Sequence, residues 1–145
     1  MYIKERKNRL ISQSGLTLIE LMVVIVILGL LAALVAPKMF GRIGEAKQKA
    51  AKAQIELFVT AHDTFRLDVE KNPATSEGIQ ALRVKPSGLE NWNGPYLPKE
   101  IPLDPWGHAY NYRSPGEHGD YDLYSFGADN AAGGGGENQD IVSWK

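Results

Sequence analysis

From Leu16 to Ala36 the chain runs for 21 residues with a single charge, Glu20, and no other feature limits its fold so strongly. As a helix rising about 1.5 Å per residue, this stretch is long enough to cross the roughly 30 Å hydrocarbon core of a bilayer. The preceding residues 1–15 are short, polar and basic, with Lys4, Arg6, Lys7 and Arg9, and no A-x-A-like cleavage site intervenes. An ordinary secretory signal does not read this way. By the positive-inside tendency the basic end stays cytoplasmic and the remainder is sent across.

A chain of 145 residues supports one small domain, so one globular unit follows the apolar segment. Lys and Arg total 16 against 17 Asp and Glu, which leaves no basic field for nucleic acid. With no cysteine, disulfides, thiolate metal sites and a Cys nucleophile are excluded, and redox logic leaves the compartment open. Glu20 stands out, because a carboxylate in an apolar helix costs about 2–3 kcal/mol unless it is paired or lies near the interface. One reading has it snorkelling or protonated at the membrane surface.

Pro37 is expected to kink or end the helix near the membrane face. Beyond it Ile43, Ala46, Ala50 and Ala53, then Ile55, Phe58, His62, Phe65 and Val69, recur at spacings of three and four on helical stripes. The helix therefore extends to about residue 70, and its outer half is amphipathic. His62 on the apolar stripe reads as a packing residue. Thr75–Leu82 predicts a second short helix capped by Thr or Ser. Residues 86–107 are broken by Pro and Gly, with Trp92, Tyr96, Leu97 and Trp106 as core plugs. His108–Arg113 and Tyr121–Phe126 alternate around a turn-rich Ser114–Gly119, a hairpin signal, and Ile141–Trp144 offers a third strand. The fold class is α+β: a long N-terminal helix packed on a small antiparallel sheet.

Residues 127–140 hold four consecutive glycines, three carboxylates and several amide oxygens. Oxygen ligands of this kind suit a hard cation such as Ca²⁺, but composition serves a flexible acidic loop equally well, and the spacing is not that of an EF-hand.

Ser14-Gly15-Leu16-Thr17-Leu18-Ile19-Glu20-Leu21-Met22-Val23-Val24 resembles the class III signal of type IV pilins and type II secretion pseudopilins. That resemblance implies a prepilin peptidase that cuts between Gly15 and Leu16 and N-methylates Leu16, where the family usually has Phe. The cut removes residues 1–15 and leaves 12 basic and 16 acidic side chains. It also frees an α-amine that Glu20 can neutralise, most usefully on a neighbouring subunit, which would make Glu20 an assembly residue. Tyr121-Asp122 through Asp129, then Asp140-Ile141 and Trp144, are similar to the calcium loop that ends major pseudopilins of type II secretion, and Asp104-Pro105-Trp106-Gly107 and Gly94-Pro95-Tyr96-Leu97 are similar to segments of that same subfamily. By that likeness Asp129 and Asp140 are ligand carboxylates and Phe126 offers a main-chain carbonyl. Gln139 stands where some relatives carry Asp, so its amide oxygen, or Glu137, would complete the set.

The resemblance implies a pilin-like fold in three parts: a leader at 1–15, a transmembrane helix at 16–36 and a periplasmic domain at 37–145. It implies a structural subunit, anchored in the inner membrane, that polymerises into the periplasmic pseudopilus and supports export of folded proteins. Its partners would be further copies, minor pseudopilins and the inner-membrane assembly platform. The alternative is the major subunit of a type IV pilus, which commonly closes its C-terminal region with a disulfide. An enzyme would have to draw on His62, His108 or His118, and no nucleophile, base and orienting group come together around them in the sequence.

Overall fold

The computed structural model describes residues 15–145. Helix α1 spans Leu18–Val69, and two compact units, Met1–Met39 and Phe40–Lys145, divide the chain within it. Helical structure continues through Pro37. A proline removes one amide donor, and Leu34, Ala36, Lys38 and Met39 around it are strong helix formers. In the first unit Leu18 to Val35 are exposed throughout, and the 18-residue window of highest mean hydropathy, 3.0, is 0% buried.

In the second unit the outer half of α1 carries two faces that spacing alone does not separate. Ala51, Ile55, Phe58, Ala61, His62 and Phe65 are buried, whereas Ile43, Ala46, Ala50 and Ala53 are exposed. The buried face meets Leu82, Leu89, Leu97, Tyr110 and Leu123 in one core. Aromatic edges fix its geometry: Phe58 meets Tyr110 at 5.1 Å and Phe65 meets Tyr96 at 5.6 Å between ring centroids. The Pro- and Gly-rich residues 83–110 are ordered by such packing and by long-range hydrogen bonds. Trp92 Nε1 donates to the Ala81 carbonyl at 2.8 Å and Tyr96 Oη donates to Asp68 at 2.8 Å.

The expected second helix is a 3₁₀ turn, Gly78–Leu82, without a side-chain cap. Thr75 is engaged elsewhere: its hydroxyl donates to the Ser114 carbonyl and accepts from the Ser114 amide, both at 2.9 Å. Strands β1 (Asn111–Arg113), β2 (Asp122–Ser125) and β3 (Ile141–Val142) form an antiparallel sheet in the order β1-β2-β3. Tyr112 pairs with Leu123, and Ser125 with Ile141. The expected fold class holds, with strands shorter than the alternating pattern because the turns around them close on side chains.

Candidate functional site

Two acidic features carry the functional expectations, one at each end of the chain. The basic leader, with Lys4, Arg6, Lys7 and Arg9, lies outside the described residues apart from Gly15. Gly15 and Leu16 are exposed and precede α1. The Thr17 amide and hydroxyl donate to Glu20 Oε2 at 2.7 and 2.8 Å, and the Glu20 amide donates to Thr17 Oγ1 at 3.3 Å. This is a reciprocal capping box, which satisfies two of the orphan amides at the helix start. Glu20 thus has a partner within its own chain, and the signal was present in Thr17-Leu18-Ile19-Glu20, the S/T-x-x-E pattern ahead of an apolar run.

At the other end, residues 127–140 leave β2 and return to β3. Gly127, at φ +74°, begins the loop in the left-handed region. A Cβ there would lie 2.8 Å from the Glu137 carbonyl oxygen and 2.9 Å from that of Gln139, so the two legs of the loop pinch together at this residue. The Ala128 amide donates to the Glu137 carbonyl at 2.9 Å across the same neck. Beyond it, Asp129 Oδ1 accepts the Ala131 amide at 3.2 Å, and Asp140 Oδ2 accepts the Gly133 amide at 2.9 Å. Asp140 Oδ1 is buried and has no hydrogen-bond partner.

The loop also touches α1. Gln48 Nε2 donates to the Gly136 carbonyl, and the Glu137 side chain packs where Gly44 leaves the helix bare. Gln139 is exposed, and its amide donates to Gly136 at 3.2 Å. Among the described residues no three His, Cys, Asp or Glu side chains gather as a metal cluster, and Asp129, Glu137 and Asp140 are not brought together as one. The unpartnered, buried Asp140 Oδ1 is the observation that fits a cation, since a lone carboxylate oxygen out of water needs a positive or donor neighbour. Asp129, Asp140, the Gln139 amide oxygen and main-chain carbonyls such as that of Phe126 are the hard-oxygen donors at hand.

The three histidines are held structurally. His62 is buried, stacks on Tyr121 at 3.9 Å and lies 3.4 Å from Tyr112 Oη. Burial above all pushes its pKa down to about 4. His118 stacks on Trp144 at 4.0 Å and lies 3.1 Å from Asp122. His108 Nδ1 lies 3.3 Å from the Gly127 carbonyl. Ser125, a possible nucleophile by residue type, donates to buried Asp104 at 2.6 Å, so its proton goes to a carboxylate instead of an imidazole.

An apolar helix capped at its start and carried into a small α+β unit is the architecture of pilin-like subunits. Residues 11–36 match the prokaryotic N-terminal methylation motif, and residues 38–144 match the family described as type II secretion system (T2SS), protein G. Proteins described as type II secretion system core protein G are similar over most of their length. The Pseudomonas aeruginosa protein is 47% identical over 91% of this chain and 95% of its own. The Vibrio cholerae protein is 43% identical over 91% and 92%. Among solved structures, the crystal structure of the major pseudopilin of the type 2 secretion system of enterohaemorrhagic Escherichia coli superposes with a TM-score of 0.60 at 28% identity. It covers 74% of this chain and 95% of that one. The chain belongs to the type II secretion system protein G family.

Proposed function

We propose that this chain is a structural, non-enzymatic subunit that polymerises into the periplasmic pseudopilus of a type II secretion system and so supports export of folded proteins. A prepilin peptidase cuts between Gly15 and Leu16 and methylates Leu16. Residues 16–36 then hold the subunit in the inner membrane, and residues 37–145 form its periplasmic domain. Further copies, minor pseudopilins and the inner-membrane assembly platform are its partners.

The observation that carries this reading is the apolar half of α1, whose large hydrophobic side chains from Leu18 to Val35 are all exposed among the described residues. Such a surface requires lipid or other helices around it, and a subunit that exchanges lipid for its neighbours' helices can polymerise. Glu20 then has two successive partners: its own Thr17 in the single chain, and a neighbour's freed α-amine in the filament. Calcium, when bound at the C-terminal loop, supplies the charge that Asp129 and Asp140 lack a partner for. The chain's own residues supply the neck and the tip contacts that hold the loop to β2 and α1.

The test is assembly in a strain that lacks its own major subunit. The wild-type chain should restore secretion and yield filaments on overexpression, with Leu16 as the mature N-terminus by mass spectrometry. Glu20→Ala should insert in the membrane normally but give few filaments. Wild-type filament yield from Glu20→Ala would remove the pairing role, and failure of the wild-type chain to restore secretion would remove the assignment.

A further inference from the structure

Asp104-Pro105-Trp106-Gly107 is distinctive in the sequence, yet neither polymerisation nor the cation donors account for it. Asp104 is 4% exposed, and a carboxylate so buried must be hydrogen-bonded to be tolerated. Its Oδ1 accepts the Trp106 amide at 3.0 Å and the His108 amide at 2.8 Å. The same turn is closed by the main chain, from the Asp104 amide to the His108 carbonyl at 2.7 Å and from the Gly107 amide to the Asp104 carbonyl at 2.9 Å. One carboxylate oxygen is therefore enough for the turn. The other, Oδ2, reaches 21 residues along the chain to Ser125 Oγ, at 2.6 Å.

A serine hydroxyl has one proton and two lone pairs. Once the proton is given to Asp104, Ser125 Oγ can only accept from its other neighbours, and it accepts the Gly127 amide at 3.2 Å. The Gly127 carbonyl lies 3.3 Å from His108 Nδ1, which donates to it in the Nδ1–H tautomer. Both polar main-chain groups of Gly127 are thus tied to the 104–108 turn. Gly127 is also where the legs of the C-terminal loop pinch, between the Phe126 carbonyl and Asp129 on one leg and Gln139 and Asp140 on the other.

We infer that Asp104 is a positioning residue for the C-terminal cation site: acting through Ser125 and His108, it fixes Gly127 and with it the separation of the two ligand-bearing legs. This inference rests on the calcium reading above. It assigns to the Asp104 turn the order of the neck, leaving the cation to order what lies beyond. A carboxylate that merely stapled the fold would stabilise the apo and calcium-loaded forms alike. One that positions ligands changes calcium affinity itself.

The experiment uses the full chain purified in detergent, with CaCl₂ as the probe. Calcium titration is followed by calorimetry, melting is measured with calcium and with chelator, and amide exchange is measured in chelator. Ser125→Ala cuts the relay and leaves both Oδ1 bonds of the turn in place, so it is the variant expected to fold. Asp104→Asn keeps the shape and reverses the polarity toward Ser125. Thr75→Ala, which cuts a staple elsewhere, is the control. Ser125→Ala and Asp104→Asn should weaken calcium binding tenfold or more and raise exchange of the Gly127 and Ala128 amides at least tenfold, whereas Thr75→Ala should leave both near wild type. Wild-type calcium affinity in Ser125→Ala, with melting lowered equally in both conditions, would reduce Asp104 to a staple and overturn the inference. If the wild-type chain binds no calcium, the cation reading fails by itself. Unchanged exchange at Gly127 and Ala128 in Ser125→Ala would then overturn the positioning role separately.

Discussion

Strand β2 has an acidic loop at each end, and the two solve the same problem differently. On one side, the turn over residues 114–121 closes on the buried carboxylate of Asp122. Its Oδ2 accepts the Glu117 amide at 2.8 Å, its Oδ1 accepts the His118 amide at 3.2 Å, and His118 Nδ1 lies 3.1 Å from Oδ2. Burial works against the charge on Asp122, yet these hydrogen bonds hold its carboxyl below the usual carboxylate range. On the other side, the loop over residues 127–140 is exposed from 129 to 139, contains four glycines in a row, and leaves Asp140 Oδ1 buried without a partner. The first loop is internally satisfied. The second has an acceptor to spare and little apolar surface to offset its ordering entropy.

The largest effect expected from this difference is calcium dependence confined to the second loop. A ligand that binds only the folded state stabilises it by about 2.7 kcal/mol at a free concentration 100 times its dissociation constant. Chelation should lower the melting temperature of the full chain in detergent accordingly. Asp129→Ala and Asp140→Ala should each remove most of the increment, while Glu117→Ala, on the satisfied loop, should keep it. Equal loss in all three variants would mean that net charge, not a site, is responsible.

The reverse experiment is next in size. Asp122→Ala strips the acceptor from two main-chain amides and from His118, and since Glu117 and His118 are exposed and water can replace part of what is lost, the cost should be about 1 kcal/mol. The loss should be the same with calcium and with chelator. A calcium-dependent loss would show that the two loops are coupled through β2 and that the contrast between them is false.

Acid should also separate the two sides. His62 lies beneath the satisfied loop, between Tyr112 and Tyr121, with Asp63, Arg66 and Asp120 nearby. Its pKa falls from about 6.5 in the unfolded chain to about 4 in the fold, chiefly through burial. Below pH 6.5 the unfolded chain takes up a proton that the fold refuses. The stability from a neutral His62 is therefore complete above that pH and is lost as the pH falls toward 4, by at most about 1.4 kcal/mol per pH unit. In chelator, where the other loop contributes no calcium-linked term, denaturant melts from pH 7 to 4.5 should slope downward. His62→Phe should flatten the slope, and an unchanged slope would place the acid sensitivity elsewhere.

What sequence reasoning reached, and where it stopped, follows the range of the interactions. The period of α1, its apolar inner half and the hairpin are local patterns, and Leu16–Ala36, Ile55–Val69 and Tyr121–Phe126 display them openly. The capping box of Thr17 and Glu20 is equally local and was legible in the spacing. By contrast, the bond between Asp104 and Ser125, the exchange between Thr75 and Ser114 and the seat of Glu137 on α1 join residues 21, 39 and 93 positions apart. Such bonds depend on where the chain returns, which composition does not encode. The two faces of outer α1 were hidden for a related reason: alanine suits both a core and a surface, so spacing alone could not distinguish Ala51, buried, from Ala50 and Ala53, exposed.

The smallest effect concerns how the unsatisfied loop rests on α1, and its sign is the informative part. Gly44 is in a helix interior, where Gly→Ala ordinarily stabilises by about 1 kcal/mol. Here an added Cβ would run into the Oε1, Cγ and Cδ atoms of Glu137. Those atoms belong to the end of a flexible, exposed side chain that can swing away, so the clash costs less than a collision with main chain would. The helical gain and the lost seat then nearly cancel, and Gly44→Ala alone should change stability by less than about 0.5 kcal/mol. In a Glu137→Ala background there is no seat to lose, and the same substitution should show its full gain of about 1 kcal/mol. A double-mutant cycle in chelator would read a coupling of about 0.5–1 kcal/mol between positions 93 residues apart. Full stabilisation by Gly44→Ala in the wild-type background would mean that the Glu137 side chain does not rest against Gly44 when calcium is absent. The neck at Gly127 and the bond from Gln48 to the Gly136 carbonyl would then hold the apo loop without help from the Glu137 side chain.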